Sequence, residues 1–156
     1  MVASDDKPRR SRKHGAMALI ENSVLLRCTP ERAFDYLSDL GNEAEWNPDL
    51  DYVEKLTDGP VGVGTKWLVK WKSAPKPVEV ELLEHDRPSR WVAHNGGLLE
   101  VDFTGRLEPD AAGVRLLVDF DARPHGPLRL FFPILLRRLR KGEAANMEHI
   151  RAALES

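Results

Sequence analysis

Residues 128–156 read LRLFFPILLRRLRKGEAANMEHIRAALES, and the period of this segment sets the architecture of the chain. On a wheel of about 100° per residue, Leu128, Phe132, Leu135, Leu139, Ile150 and Leu154 share one stripe. Arg137, Arg140, Lys141, Glu148 and Arg151 take the opposite side. Pro133 is expected to perturb the first turns, leaving 134–155 as a regular helix about 33 Å long, enough to cross a sheet. The chain before it has a different period. Ile20, Asn22, Val24, Leu26 and Cys28 alternate with Glu21, Ser23, Leu25 and Arg27, which is the pattern of a strand.

Thr29-Pro30-Glu31 then supplies a helix start: a hydroxyl cap, a proline at the first helical position and an acid near the positive dipole end. Ala33, Phe34 and Leu37 form the inner face of that short helix. A second helical turn is expected from Glu43 to Trp46, stopped at Asn47-Pro48 because the residue before proline avoids the helical region. Six further strands follow, over 51–56, 65–72, 77–85, 90–95, 99–107 and 114–121, separated by Gly- and Pro-containing turns. In the second of these, Thr65, Trp67, Val69 and Trp71 alternate with Lys66, Leu68, Lys70 and Lys72. The predicted order is strand, two short helices, six strands and one long helix, an α+β chain with an antiparallel meander.

A chain of 156 residues suits one domain, and a single cysteine, Cys28, excludes an internal disulfide framework. The composition, 42% hydrophobic and 31% charged, is that of a soluble globular protein. No apolar run approaches the roughly 20 residues of a membrane span, and a net charge of −2 gives no general pull toward nucleic acid. The charge is uneven. Residues 1–15 carry five Lys or Arg against Asp5 and Asp6, a local +3 that leaves about −5 for the remainder. Residues 1–16 are expected to be a disordered basic leader or a cloning remnant, without the apolar region of a secretory signal, and 17–156 to be the folded domain. A cytoplasmic location is the expectation.

Three passages carry a family resemblance. CTPERAFDYLSDLGNEAEWNPDL starts a short helix at a proline and closes a second at a tryptophan. EHDRPSRWVAHNGG holds a proline-and-basic turn between strands, and LRKGEAANMEHIRAALES is an amphipathic closing helix. The chain resembles the START-like superfamily (SRPBCC), in its polyketide cyclase/dehydrase and lipid-transport group. The resemblance implies a helix-grip fold, a seven-stranded curved antiparallel sheet wrapped around the long C-terminal helix. It also implies a cavity between the two for a lipid, polyketide or aromatic compound. A carrier or sensor of such a molecule, with no cofactor, is the function it suggests. An aromatase/cyclase or dehydrase using polar cavity residues is the alternative, and a regulator binding a partner protein is a third.

Several side chains are candidates for the cavity lining. Gly142 and Asn146 lie near the middle of the helical stripe with Glu143 beside them. A glycine in mid-helix costs about 1 kcal/mol relative to alanine, so Gly142 is expected to have a packing reason. Asn22 shares a face with Ile20 and Val24, so it must meet a partner, water or ligand. Trp67 and Trp71 either stack on a ligand or pack the core. Trp46 closes the mouth or packs the short helices, and Phe103 and Phe120 are core residues first and cavity wall second. No histidine pair has metal-ligand spacing, so no metal site is expected. Asn22, His94, Glu143 and Asn146 are the polar groups to test for catalysis, although His94 is expected to be exposed and Asp102 solvated. Basic residues flanking apolar ones in 128–141 suggest membrane contact, against which stands their outward position on the wheel. A monomer or homodimer is expected.

Overall fold

In the computed structural model, which describes residues 18–156, seven strands form one antiparallel sheet. They are β1 (Ala18–Leu26), β2 (Leu50–Lys55), β3 (Lys66–Trp71), β4 (Val78–Asp86), β5 (Arg90–Asn95), β6 (Leu99–Asp110) and β7 (Gly113–Pro124). Their order across the sheet is β1-β7-β6-β5-β4-β3-β2, a meander from β2 to β7 with β1 beside the last strand. Helix α1 (Pro30–Leu37) and a 3-10 turn (Leu40–Glu45) join β1 to β2, and α2 (Leu128–Glu155) follows β7. The element order is the one the periodicities predict, and the architecture is the helix-grip that the family resemblance implies. The expectation for residues 1–16 lies outside the described residues.

Alternation explains which face is buried. Ile20, Val24 and Leu26 of β1 lie opposite Phe120, Leu116 and Val114 of β7, and α2 packs mainly over β1. Register shifts at Leu50/Tyr52 in β2 and Leu82/Glu84 in β4 bend the sheet, as strand irregularities do. The concave face so formed carries Trp67, Val69, Val80, Leu82, Trp91 and Leu107. Trp91 lies across Gly105, its neighbour on β6. A Cβ on Gly105 would sit 2.2 Å from the indole ring, so only glycine admits the tryptophan there.

Two local expectations are corrected. Helix α2 begins at Leu128 rather than Ile134, with Pro133 inside it. Its first turn is held by bonds to residues three back, Arg129 N–H to Gly126 and Leu130 N–H to Pro127. Pro133 therefore removes a single bond close to an end that is already open. The second short turn begins at Leu40, not Glu43, because the Asp39 carboxylate accepts from Gly41 N–H at 2.9 Å and starts the turn earlier. The cap on α1 is as expected, with Thr29 accepting from Arg32 N–H at 3.2 Å.

The apolar interior is divided. One cluster joins the C-terminal half of α2 (Met147, Ile150, Leu154) to α1 and most of the sheet. A smaller one joins Ala18, Ala122 and Phe132, with Phe120, Leu135, Leu136 and Leu139 packed against it. Two glycines test the packing. Gly105→Ala should lose about 1–3 kcal/mol in urea denaturation, since Trp91 is buried and set edge-on to Phe34. Gly142→Ala should leave stability unchanged or raise it by up to about 1 kcal/mol, because a Cβ there meets nothing within 4 Å.

Candidate functional site

Glu43 is the charged residue that the fold takes furthest from water on the sheet's concave side. The Asp39 cap turns the chain so that Glu43 points inward, and only 7% of it is exposed. Its Oε1 accepts from Asn47 Nδ2 at 2.7 Å and from the Trp71 indole N–H at 3.5 Å. Its Oε2 is buried without a hydrogen-bond partner among the described residues. Burial pushes the Glu43 carboxyl up to about 6, although the Asn47 and Trp71 bonds pull it back.

Glu143 approaches the same interior from α2. It is half-buried, and loss of hydration pushes its carboxyl up to about 8, with the negative Glu43 adding to the effect. At neutral pH Glu143 is therefore mostly protonated and Glu43 mostly ionised, so two carboxyls hold about one proton. Loss of hydration is the main cause for both carboxyls, and the charge of Glu43 is felt at Glu143.

The other expected residues fall around this pair to different degrees. Asn146 is buried three positions beyond Glu143 on α2. Asn22 is at the middle of β1, facing the helix, and its Nδ2 is buried without a partner, as is the Trp67 indole N–H. Phe103 and Phe120 are cross-strand neighbours on β6 and β7, yet both are only half-buried and each packs against a different apolar cluster. Trp71 touches Glu43 directly, and Trp46 packs on the larger cluster at the end of the 3-10 turn. Gly142 stands apart: it is exposed, and the packing reason expected for it is absent. Glu43 was not among the expected residues.

His94 belongs to the other side of the sheet. It pairs in register with Asp102, and its Nδ1 lies 2.7 Å from Asp102 Oδ1. Arg123 donates to Asp102 at 2.6 Å and to Glu100 at 3.2 Å, and His125 Nε2 is 2.9 Å from Glu100. Burial raises the Asp102 carboxyl, but the bonds from Arg123 and His94 outweigh it and hold the group below its ordinary value. Asp102 is thus a paired charge, not a solvated one, and His94 faces away from α2. A groove of about 240 Å³ opens on this convex side between Glu84, Arg90, Asp102 and Asp119. It contains none of the expected lining residues. No group of His, Cys, Asp or Glu suited to a metal ion occurs among the described residues, and no described helix is long and apolar enough to cross a membrane.

The fold has many counterparts among solved structures. The protein TTHA0849 from Thermus thermophilus superposes with a TM-score of 0.71 at 14% identity, covering 88% of this chain and 97% of that one. The Zhui aromatase/cyclase from Streptomyces sp. R1128 gives 0.69 at 14% identity, covering 90% and 94%. Ara h 8.0201 gives 0.61 at 17% identity, covering 89% and 98%. No sequence among the curated proteins matches the chain. A family model described as polyketide cyclase / dehydrase and lipid transport matches residues 17–155, nearly the whole chain. With the helix-grip architecture, that match identifies the chain as a member of the polyketide cyclase / dehydrase and lipid transport family, within the START-like superfamily.

Proposed function

We propose that the chain binds a hydrophobic small molecule between the concave face of the sheet and α2, as carrier or sensor. Glu43, Glu143, Asn22 and Asn146 hold the ligand's polar end, and Phe103, Phe120 and Trp71 contact its apolar body. The observation that carries this is the interruption of the interior by polar groups. Glu43 Oε2, Asn22 Nδ2 and Trp67 Nε1 are all buried without partners, and an unmade buried hydrogen bond costs about 1–3 kcal/mol. Three such costs, on β1, on β3 and in the 3-10 turn, suit an interior that a ligand completes. The half-buried Phe103 and Phe120, a cross-strand pair on β6 and β7, support the same reading. So does membership of a family whose description includes lipid transport.

A second reading rests on the carboxyl pair. With Glu43 near 6 and Glu143 near 8, one carboxylate can take a proton from an enolisable chain while the neighbouring acid returns one. That is what a cofactor-independent cyclase or dehydrase requires, and the Zhui protein of similar fold is called an aromatase/cyclase. In this reading Asn146→Leu and Glu143→Leu abolish turnover of a genuine substrate while circular dichroism stays native. Unchanged turnover in both variants removes these residues from the chemistry.

Native mass spectrometry of the purified chain, before and after organic extraction, tests the binding reading. A co-purifying apolar molecule, or a mass shift on adding fatty acids or flat aromatics to extracted protein, is the expected result. Neither signal across such a panel overturns it.

The carboxyls also fix a pH dependence. Both are raised above their unfolded values, so the folded chain binds more protons and loses stability as pH rises. Their contribution is complete below about pH 4.3 and is lost progressively through about 6 and then about 8. Asp35, Glu100 and Asp102 are lowered and act oppositely, losing their contribution in more acidic solution. The urea midpoint of extracted protein should therefore decline from pH 5 to 8. Glu143→Gln should flatten the upper part and gain about 1–2 kcal/mol at pH 8, a figure reduced for its partial exposure to water. A midpoint that rises toward pH 8 would contradict the assignment.

A further inference from the structure

We propose that the outward face of the first turns of α2 docks on an anionic lipid bilayer. Leu130, Phe131 and Ile134 are 80%, 60% and 69% exposed, on adjacent turns of one helix face. Leu98 belongs to the same corner, because His125 N–H donates to its carbonyl at 2.7 Å and Gly126 packs beside its side chain. Leu98 is itself 54% exposed. Single exposed apolar residues are ordinary on a soluble surface, but four large ones gathered at one corner are not.

These residues do nothing for the fold. On the opposite side of the same turns, Phe132 is buried, and Leu135, Leu136 and Leu139 pack with Ala18 and Ala122. The inward stripe is complete without the outward one. An outer surface with this much apolar area is explained by something outside the chain.

Charge says what that is. From Leu128 to Gly142 the sequence contains Arg129, Arg137, Arg138, Arg140 and Lys141 and no Asp or Glu. All five cations are exposed, and none forms an ion pair with another described residue. On the helical wheel Arg137, Arg138 and Lys141 occupy the sector of Leu130 and Ile134, about 5–16 Å further along the axis. A bilayer presents these two layers in that order. Apolar side chains enter the boundary between headgroups and acyl chains, and cations one to three turns away lie among phosphates. The helix meets the surface tip first.

Sedimentation of the full chain with vesicles tests this. Vesicles of phosphatidylcholine with about one-third phosphatidylglycerol should bind at least tenfold more tightly than phosphatidylcholine alone, and high salt should weaken the binding. Replacing Leu130, Phe131 and Ile134 together by serine should weaken binding to anionic vesicles at least about fivefold, with native circular dichroism. Arg137→Glu with Arg138→Glu should do the same by a separate route. The basic residues 1–15 remain in every variant, so a response to the serine variant cannot come from them. Binding unaffected by the serine substitutions overturns the proposal, as does absence of binding to anionic vesicles. A dimer that the serine variant abolishes, without vesicle binding, assigns the face to a second copy of the chain and overturns it too.

Discussion

Met147, Ile150 and Leu154 bury against the concave sheet, and Glu143 and Asn146 share that inward face of the same helix. The apolar residues cannot leave water without drawing the polar ones partly with them. A buried carboxyl gives up its charge more readily than it gives up hydration, which is why Glu143 holds its proton to about 8. The apolar core divides into two clusters, and the chain brings Glu43 in from the 3-10 turn on the far side.

The sheet cooperates through its shape. Gly105 lets Trp91 lie across β6, with its indole ring set edge-on to Phe34. One strand pair along, Phe103 and Phe120 have no comparable cover and remain half-buried. In the register, Asn22 of β1 lies in the same cross-strand row as Val118, Gly105 and Trp91, and Ile20 in the row of Phe120 and Phe103. One small residue thus decides where a large ring is seated, and Asn22, a polar residue, falls in the same row.

Much of this is legible in the sequence, for reasons that differ by element. The strands and α2 are long and strongly periodic, and Thr29-Pro30 marks α1 without ambiguity. The inward position of Glu143 is also on the wheel, where it falls between Ile150 and Leu154, although Gly142 next to it is exposed. Glu43 is hidden because an acid early in a helical turn ordinarily faces solvent near the positive dipole end. What reverses this is the Asp39 cap, which starts the turn before Glu43 and swings it inward. Asp39 two residues before Gly41, and Asn47 four residues after Glu43, are the signals that could have found it. His94 and Asp102 are neighbours only through strand pairing, which neither residue's local sequence reveals.

The charge order along α2 runs against the helix's own electrostatics. Helix N-termini favour anions and C-termini favour cations, by about 0.3–1 kcal/mol per group. Here the first turn has no acid and the last turn has no base, while Arg129 stands at the start and Glu155 at the end. Glu155 has an internal reason, since it accepts from Arg27 N–H at 3.3 Å and ties the end of α2 to the end of β1. Arg129, Arg137, Arg138, Arg140 and Lys141 have no such partner among the described residues. Their placement neither stabilises the helix dipole nor completes the core, and it coincides with apolar side chains that the core does not use. A surface with both properties, at the half of α2 far from the carboxyl pair's larger cluster, separates the outward task of the helix from its inward one. The N-terminal half packs inward through Phe132, Leu135 and Leu139 while it carries Leu130, Phe131 and Ile134 outward, and the C-terminal half packs on the larger cluster.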